Sequence, residues 1–133
     1  MGTQPGWKID HKKSIPVFAA NDVVEGQVGK LTSEYIADIC GAGEMPAGVF
    51  PRSVDISEVG ALTELVRGDQ AVCIAAAPIV SLTIPLKAAD AGAVTPCTAD
   101  QDIIVGMPLT LQTTINGHVT VDLTLMGSYY ATT

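Results

Sequence analysis

Apolar and polar positions alternate most regularly toward the C-terminal end of the chain. Leu109, Leu111, Thr113 and Ile115 alternate with Thr110, Gln112 and Thr114, and Val119, Val121, Leu123 and Leu125 alternate with Thr120, Asp122 and Thr124. A period of two, seen twice, predicts two half-buried strands. Asn116-Gly117 between them is a short hairpin signal, because both residues tolerate positive φ. A two-residue loop would set Leu111 against Asp122. A three-residue loop, Ile115-Asn116-Gly117, instead sets Leu111 opposite Val121 and Leu109 opposite Leu123, with Gly117 as the left-handed bulge residue.

Elsewhere the pattern predicts more short strands. Ile15–Phe18 and Val23-Val24 are β-prone, EGQVGKL is glycine-punctuated, Glu34–Cys40 alternates without a clear facing, and Pro46, Gly48 and Pro51 bracket Val49-Phe50. SVDISEVGALTELVRG has two readings: Ile56, Val59, Leu62 and Val66 are spaced for a short helix capped by Ser57, whereas Leu62, Glu64 and Val66 fit a strand. Gly68-Asp69 marks a turn before a strand through Val72 and Ile74. Val80, Leu82, Ile84 and Leu86 alternate with Ser81, Thr83 and Pro85 as the cleanest single strand, which ends at Pro85 or lies at an edge because proline cannot donate to a ladder. A glycine echo, GVF at 48–50 and LVRG at 65–68 against GMP at 106–108 and LMG at 125–127, divides the domain into candidate halves 15–68 and 79–127. The expected fold is all-β: a small β-barrel or β-sandwich of short antiparallel strands, with at most one short helix, over 15–133.

Residues 1–14 lack this periodicity and form an expected extended N-terminal arm. It carries Lys8, Lys12 and Lys13 against Asp10, together with Trp7, the only tryptophan, beside Ile9. The chain as a whole has a formal net charge of -7, so the body is more acidic still, which argues against a nucleic-acid groove. At 133 residues and 47% hydrophobic with only 5% aromatic, one domain with an aliphatic core is expected without staples. Cys40, Cys73 and Cys97 are odd in number and lack CxxC spacing, as expected of reduced thiols in a protein made in the cytoplasm. The N-terminus lacks the apolar run of a signal peptide, and Gly6 replaces the Ser or Thr of a myristoylation motif. The apolar stretch Ala71–Leu86 is too short and too interrupted to span a membrane.

Catalytic chemistry has little to stand on. Hydrolysis needs a nucleophile activated by a base, and the two histidines are His11, on the arm, and His118, beside the predicted turn. His118 and Asp122 are four apart on a strand, on one solvated face and well separated; a site built from His118, Asp122 and Cys97 is the minor alternative of a small enzyme or ligand-binding barrel. No Cys/His cluster has zinc spacing and no carboxylate run forms a calcium loop. EGQVGKL fails as a phosphate loop, with Val24 in place of its first glycine and Leu31 in place of its magnesium-binding Ser or Thr. No catalytic, cofactor or metal residue is assigned, and the expectation is a non-enzymatic protein that works by contact through edge strands and arm.

The succession of an IPVF strand, a GKL segment, GVF, ELVRG, then IPLKAADAGAVTP, IVGMPL and a closing VDLTLMG resembles the small capsid decoration (cement) proteins of tailed phages over roughly residues 15–127. It departs from them at Ala89-Asp90, where Gly-Asp is expected. The resemblance implies a β-rich virion protein, made in the host cytoplasm, that adds to the outer surface of an assembled head, commonly as a homotrimer, and stabilises the lattice by bridging major capsid subunits. On that view Trp7, Lys8, Ile9, Lys12 and Lys13 are the partner-binding residues, with no direct contact to nucleic acid or membrane. A tail or baseplate β domain is the alternative virion role.

Overall fold

The computed structural model of the protein describes residues 14–57 and 61–132. Ten strands follow in chain order: β1 (Ser14–Ala19), β2 (Val28–Ser33), β3 (Ile36–Ile39), β4 (Gly48–Val49), β5 (Leu62–Val66), β6 (Gln70–Ile74), β7 (Leu86–Ala88), β8 (Val94–Pro96), β9 (Ile104–Pro108) and β10 (His118–Asp122). The fold is all-β, as expected, and the helical content described is one 3₁₀ turn, Asp90–Gly92. The strand reading of the ambiguous segment holds for Leu62–Val66, which pairs antiparallel with β1; residues 58–60 lie outside the described part.

The first five strands close into a barrel in the order β1-β3-β2-β4-β5, and the last five form a sheet in the order β6-β10-β9-β7-β8. That sheet closes too, through a parallel bridge between Ala75 and Val94. Matching β1–β5 to β6–β10 in chain order, the neighbours and their directions coincide, including the parallel contact of β1 with β3 and of Ala75 with β8.

The correspondence reaches single hydrogen bonds. Phe18 opposes Leu62 as Ile74 opposes His118. Ala20 N donates to Ala37 O as Ala76 N donates to Val94 O, and Cys40 N to Val28 O as Cys97 N to Pro85 O. The ion pair Lys30–Glu44 has its counterpart in Lys87–Asp102. Gly48 and Gly106 answer the same demand. A Cβ on Gly48 would lie 2.8 Å from the Val66 carbonyl, and one on Gly106 would strike the carbonyl of Asp122. Two barrels, 14–66 and 70–122, thus repeat one plan.

Each barrel has its own filling. Val17, Val23, Ala37, Phe50 and Leu65 fill barrel 1. The larger cluster runs through barrel 2 and takes in Val28, Cys40, Val49 and Val66 of barrel 1, so the seam between barrels is itself core.

Two expected strands are loops. Leu109–Ile115 does not extend the β9–β10 hairpin: Pro108 opposes Val121 and Met107 opposes Asp122, in place of Leu111 against Val121. The ladder stops because the Thr110 hydroxyl accepts the Thr120 N–H at 3.0 Å, and the Gln112 amide then folds the loop back, donating to His118 O at 3.0 Å. Positive φ falls on Asn116, at 70°, and not on Gly117. A Cβ on Gly117 would overlap the Gln112 amide, which would have to swing away and give up its bond to His118 O. Val80–Pro85 is likewise no strand: the Ser81 hydroxyl accepts from Thr83 N at 3.2 Å and bends the chain. Only Ile79 pairs, with Gln112, before β7 begins at Leu86.

Candidate functional site

The residues expected to bind a partner, Trp7, Lys8, Ile9, Lys12 and Lys13, lie outside the described residues. Two residues of the minor catalytic reading, Asp122 and Cys97, have local roles in the structure. Asp122 is engaged by Thr124, whose hydroxyl and backbone N–H donate to Oδ1 at 2.6 and 2.9 Å, and this holds the carboxyl below its usual range. Cys97 is buried, and its thiol is pushed up to about 11, chiefly by burial. Cys40 is pushed to about 11 and Cys73 to about 12 for the same reason, so none is a ready thiolate. Among the described residues there is no group of three His, Cys, Asp or Glu side chains arranged to hold a metal ion.

Two concavities are lined by charged groups. A hollow of about 140 Å³ sits at the seam, where Glu44 of barrel 1 faces Lys87 and Asp102 of barrel 2; drug-sized ligand sites start near roughly 300 Å³. Its charges serve local structure. Asp102 accepts from Lys87 Nζ at 3.0 Å and from the Thr98 and Ala99 N–H groups at 2.9 Å, the backbone donors doing most to lower its pKa. Glu44 accepts from Lys30 Nζ and Gly41 N, both at 2.6 Å. A wider, open depression lies over Asn21, Asp22 and Asp55–Ser57. Its carboxylates too are committed, Asp22 to Ile56 N and Asp55 to Ser57 N and Oγ.

What the surface does offer is apolar area. In β1, alternation buries Val17 and Ala19 and turns Phe18 outward, and register places it opposite Leu62 on one side and Ile36 on the other. Leu62, Phe18 and Ile36 thus form an exposed row across three neighbouring strands, continued by exposed Tyr35 in the tight β2–β3 turn. Tyr35 has φ 69°, and its carbonyl accepts the Phe18 N–H at 2.7 Å, which fixes the turn against β1. A second apolar area lies on the β6–β7 and β9–β10 loops of barrel 2, where Val80, Leu82, Ile84, Leu109, Leu111 and Ile115 are exposed and no residue from 76 to 85 or from 109 to 117 carries a charge. Contiguous apolar surface of this kind marks interaction sites.

The outward row was hidden in the sequence by the unassigned facing of Glu34–Cys40; the signal available was that Val17 and Phe18 are both large and apolar, so one must face out. The loop patch was hidden by its own alternation, which mimics a strand.

No protein-family model matches the chain, and no curated protein sequence matches it significantly. Among solved structures it is similar to the head fiber gp8.5 N base of bacteriophage phi29, with a TM-score of 0.66 at 16% identity, over 87% of this chain and 97% of that one. The likeness is one of fold. It spans both barrels, because 87% of the chain exceeds what either contributes alone.

Proposed function

We propose that this chain is a structural component of a phage head: a non-enzymatic protein that binds the outer surface of the assembled shell and stabilises the lattice by bridging major capsid subunits. The observation that carries this reading is the likeness in fold, over nearly the whole of both chains, to the base of a phage head fiber. The committed carboxylates, raised thiols and exposed apolar surfaces are consistent with work done by contact. Homotrimeric assembly belongs to the same proposal, as does an anchoring role for the arm, with Lys8, Lys12 and Lys13 meeting acidic groups and Trp7 and Ile9 filling apolar hollows. Many modest contacts on a repeating lattice then sum to tight attachment.

Co-sedimentation with purified expanded heads of the encoding phage tests this, using the full chain beside one lacking residues 1–13. The full chain saturates the heads at a fixed ratio to capsid subunits, and the shortened chain binds more weakly. Absence of binding by the full chain contradicts the head reading; equal binding by both removes the arm from it.

A further inference from the structure

The two barrels of one chain touch through unlike surfaces. Barrel 2 presents β6 at Ile74 and the β7–β8 turn at Ala91 and Gly92; barrel 1 receives them on Gly26–Val28 and Ile39. The Gly26 carbonyl accepts the Ile74 N–H at 3.3 Å, and Gln27 Nε2 donates to Ala91 O at 2.9 Å. A Cβ on Gly92 would lie 3.0 Å from Gln27 Cβ and from Ile39 Cγ2, so the turn is pressed close against barrel 1.

A head-to-tail contact between two repeats leaves one mate of each kind unused. Strand equivalence identifies both. Phe18 occupies in barrel 1 the register position of Ile74, and the Glu34-Tyr35 turn joins β2 to β3 as the Ala91-Gly92 turn joins β7 to β8. Both are open, with Phe18 51% and Tyr35 59% exposed, and Ile36 is exposed opposite Phe18. The matched bonds Cys40 N to Val28 O and Cys97 N to Pro85 O align Gly26–Val28 with Thr83–Pro85. There Ile84 is exposed, with Leu82 exposed two residues before it.

We propose that these two open surfaces are mates: a second copy of this chain seats its Leu82–Ile84 segment on the Phe18/Tyr35 face of the first, repeating between chains the contact that joins barrels 1 and 2 within one. The occupant is a second copy because the chain already holds both halves of a working interface and has used each once. Charge permits it. In a chain of net charge -7, the loop surface is uncharged, and the acids that border the Phe18 row are engaged, Glu64 by Arg52 and Asp38 by Asn21; Glu34 sits in the turn where the internal contact tolerates Asp90. A contact between unlike surfaces propagates, and closes into a ring where its rotation allows. This deepens the homotrimer of the proposed function by naming the two surfaces that meet, and it does not rest on attachment to the head.

Sedimentation velocity of the full chain tests the pairing with Phe18→Glu, Ile84→Glu and their equimolar mixture, each checked for native circular dichroism. Ile36→Glu and Leu82→Glu serve as a second pair should either of the first misfold. The wild-type chain self-associates, and each variant raises the apparent dissociation constant by about tenfold or more, as for loss of a central apolar anchor. The mixture recovers a heterodimer, since each partner keeps one intact surface. A wild-type chain that stays monomeric at every accessible concentration, single variants that associate as tightly as wild type, or folded variants whose mixture remains monomeric would each overturn the proposal. Head binding is read separately: its loss with self-association intact counts against the proposed function alone.

Discussion

Barrel 1 and barrel 2 share a strand order but solve their interiors with different side chains. In barrel 1 the β2 position beside β4 is Gly29, where a Cβ would lie 2.7 Å from Phe50 Cε2 and from Leu65 Cδ2. In barrel 2 the counterparts are Leu86 for Gly29, Pro108 for Phe50 and Val121 for Leu65, so bulk has moved from one wall to the other at roughly kept volume. Hydrogen-bond skeletons constrain a fold more tightly than residue identities do, because cores accept volume-conserving exchange while buried backbone groups must stay paired. The surfaces diverge further. The β1–β2 and β4–β5 loops of barrel 1 carry Asp22, Glu25, Arg52 and Asp55, while the matching loops of barrel 2 are uncharged and aliphatic. One plan has yielded a polar end and an apolar one.

The largest expected effect probes the paired glycines. Gly106→Ala costs about 3 kcal/mol or more, since its Cβ meets the immovable Asp122 carbonyl, and Gly48→Ala costs less, its contact with Val66 O being 2.8 Å. Urea unfolding measures both; two neutral glycine variants would break the structural equivalence. The paired core positions come next. Leu65→Ala costs about 3 kcal/mol and Val121→Ala less, both side chains being fully buried but the second smaller. A larger loss at Val121 would mean that barrel 2 alone holds the chain together.

A gain is expected where the barrels differ in polarity. The Thr63 hydroxyl is buried with no partner among the described residues, and its equivalent in barrel 2 is Val119. Thr63→Val therefore stabilises by about 1 kcal/mol, read as a raised urea midpoint at unchanged slope; a loss would show that the hydroxyl is bonded. Smallest are the paired carboxylates. Asp102→Asn costs about 1 kcal/mol, because an amide oxygen still accepts from the Thr98 and Ala99 N–H groups and only the charge facing Lys87 is lost. Asp102 and Glu44 are both held below their ordinary pKa, so the stability they lend is full above that ordinary value and fades as pH falls through the lower folded one. Acid titration of unfolding should stay level from neutrality to about pH 4 and decline below it, with Asp102→Asn flattening the decline; an unchanged slope would remove Asp102 from it.

Much of the fold was legible where burial and alternation agree. Ile15–Phe18 and Val119 with Val121 lie in β1 and β10, each with one face sealed against a core, while β6 forms where expected but seals Cys73 and leaves Val72 exposed. Alternation misled where no second sheet covers it: Val80, Leu82 and Ile84, and Leu109, Leu111 and Ile115, read as strands but are exposed on loops closed by Ser81, Thr110 and Gln112. Local side-chain bonds of this kind leave no periodic trace. The repeat was nearly silent for the same reason that it tolerates core exchange: across the two barrels, matched identities such as Lys30 with Lys87, Cys40 with Cys97 and Gly48 with Gly106 are sparse and unevenly spaced. Of the candidate binding surface, Trp7 and the lysines were readable by type, whereas the Phe18 row emerges only from strand register.

Cryo-electron microscopy of phage heads saturated with the full chain tests the structural role most directly. The account predicts two-barrel density on the outer face of the shell, seated over junctions between neighbouring capsid subunits. Bare heads at saturating protein, or density confined to the tail, would contradict it.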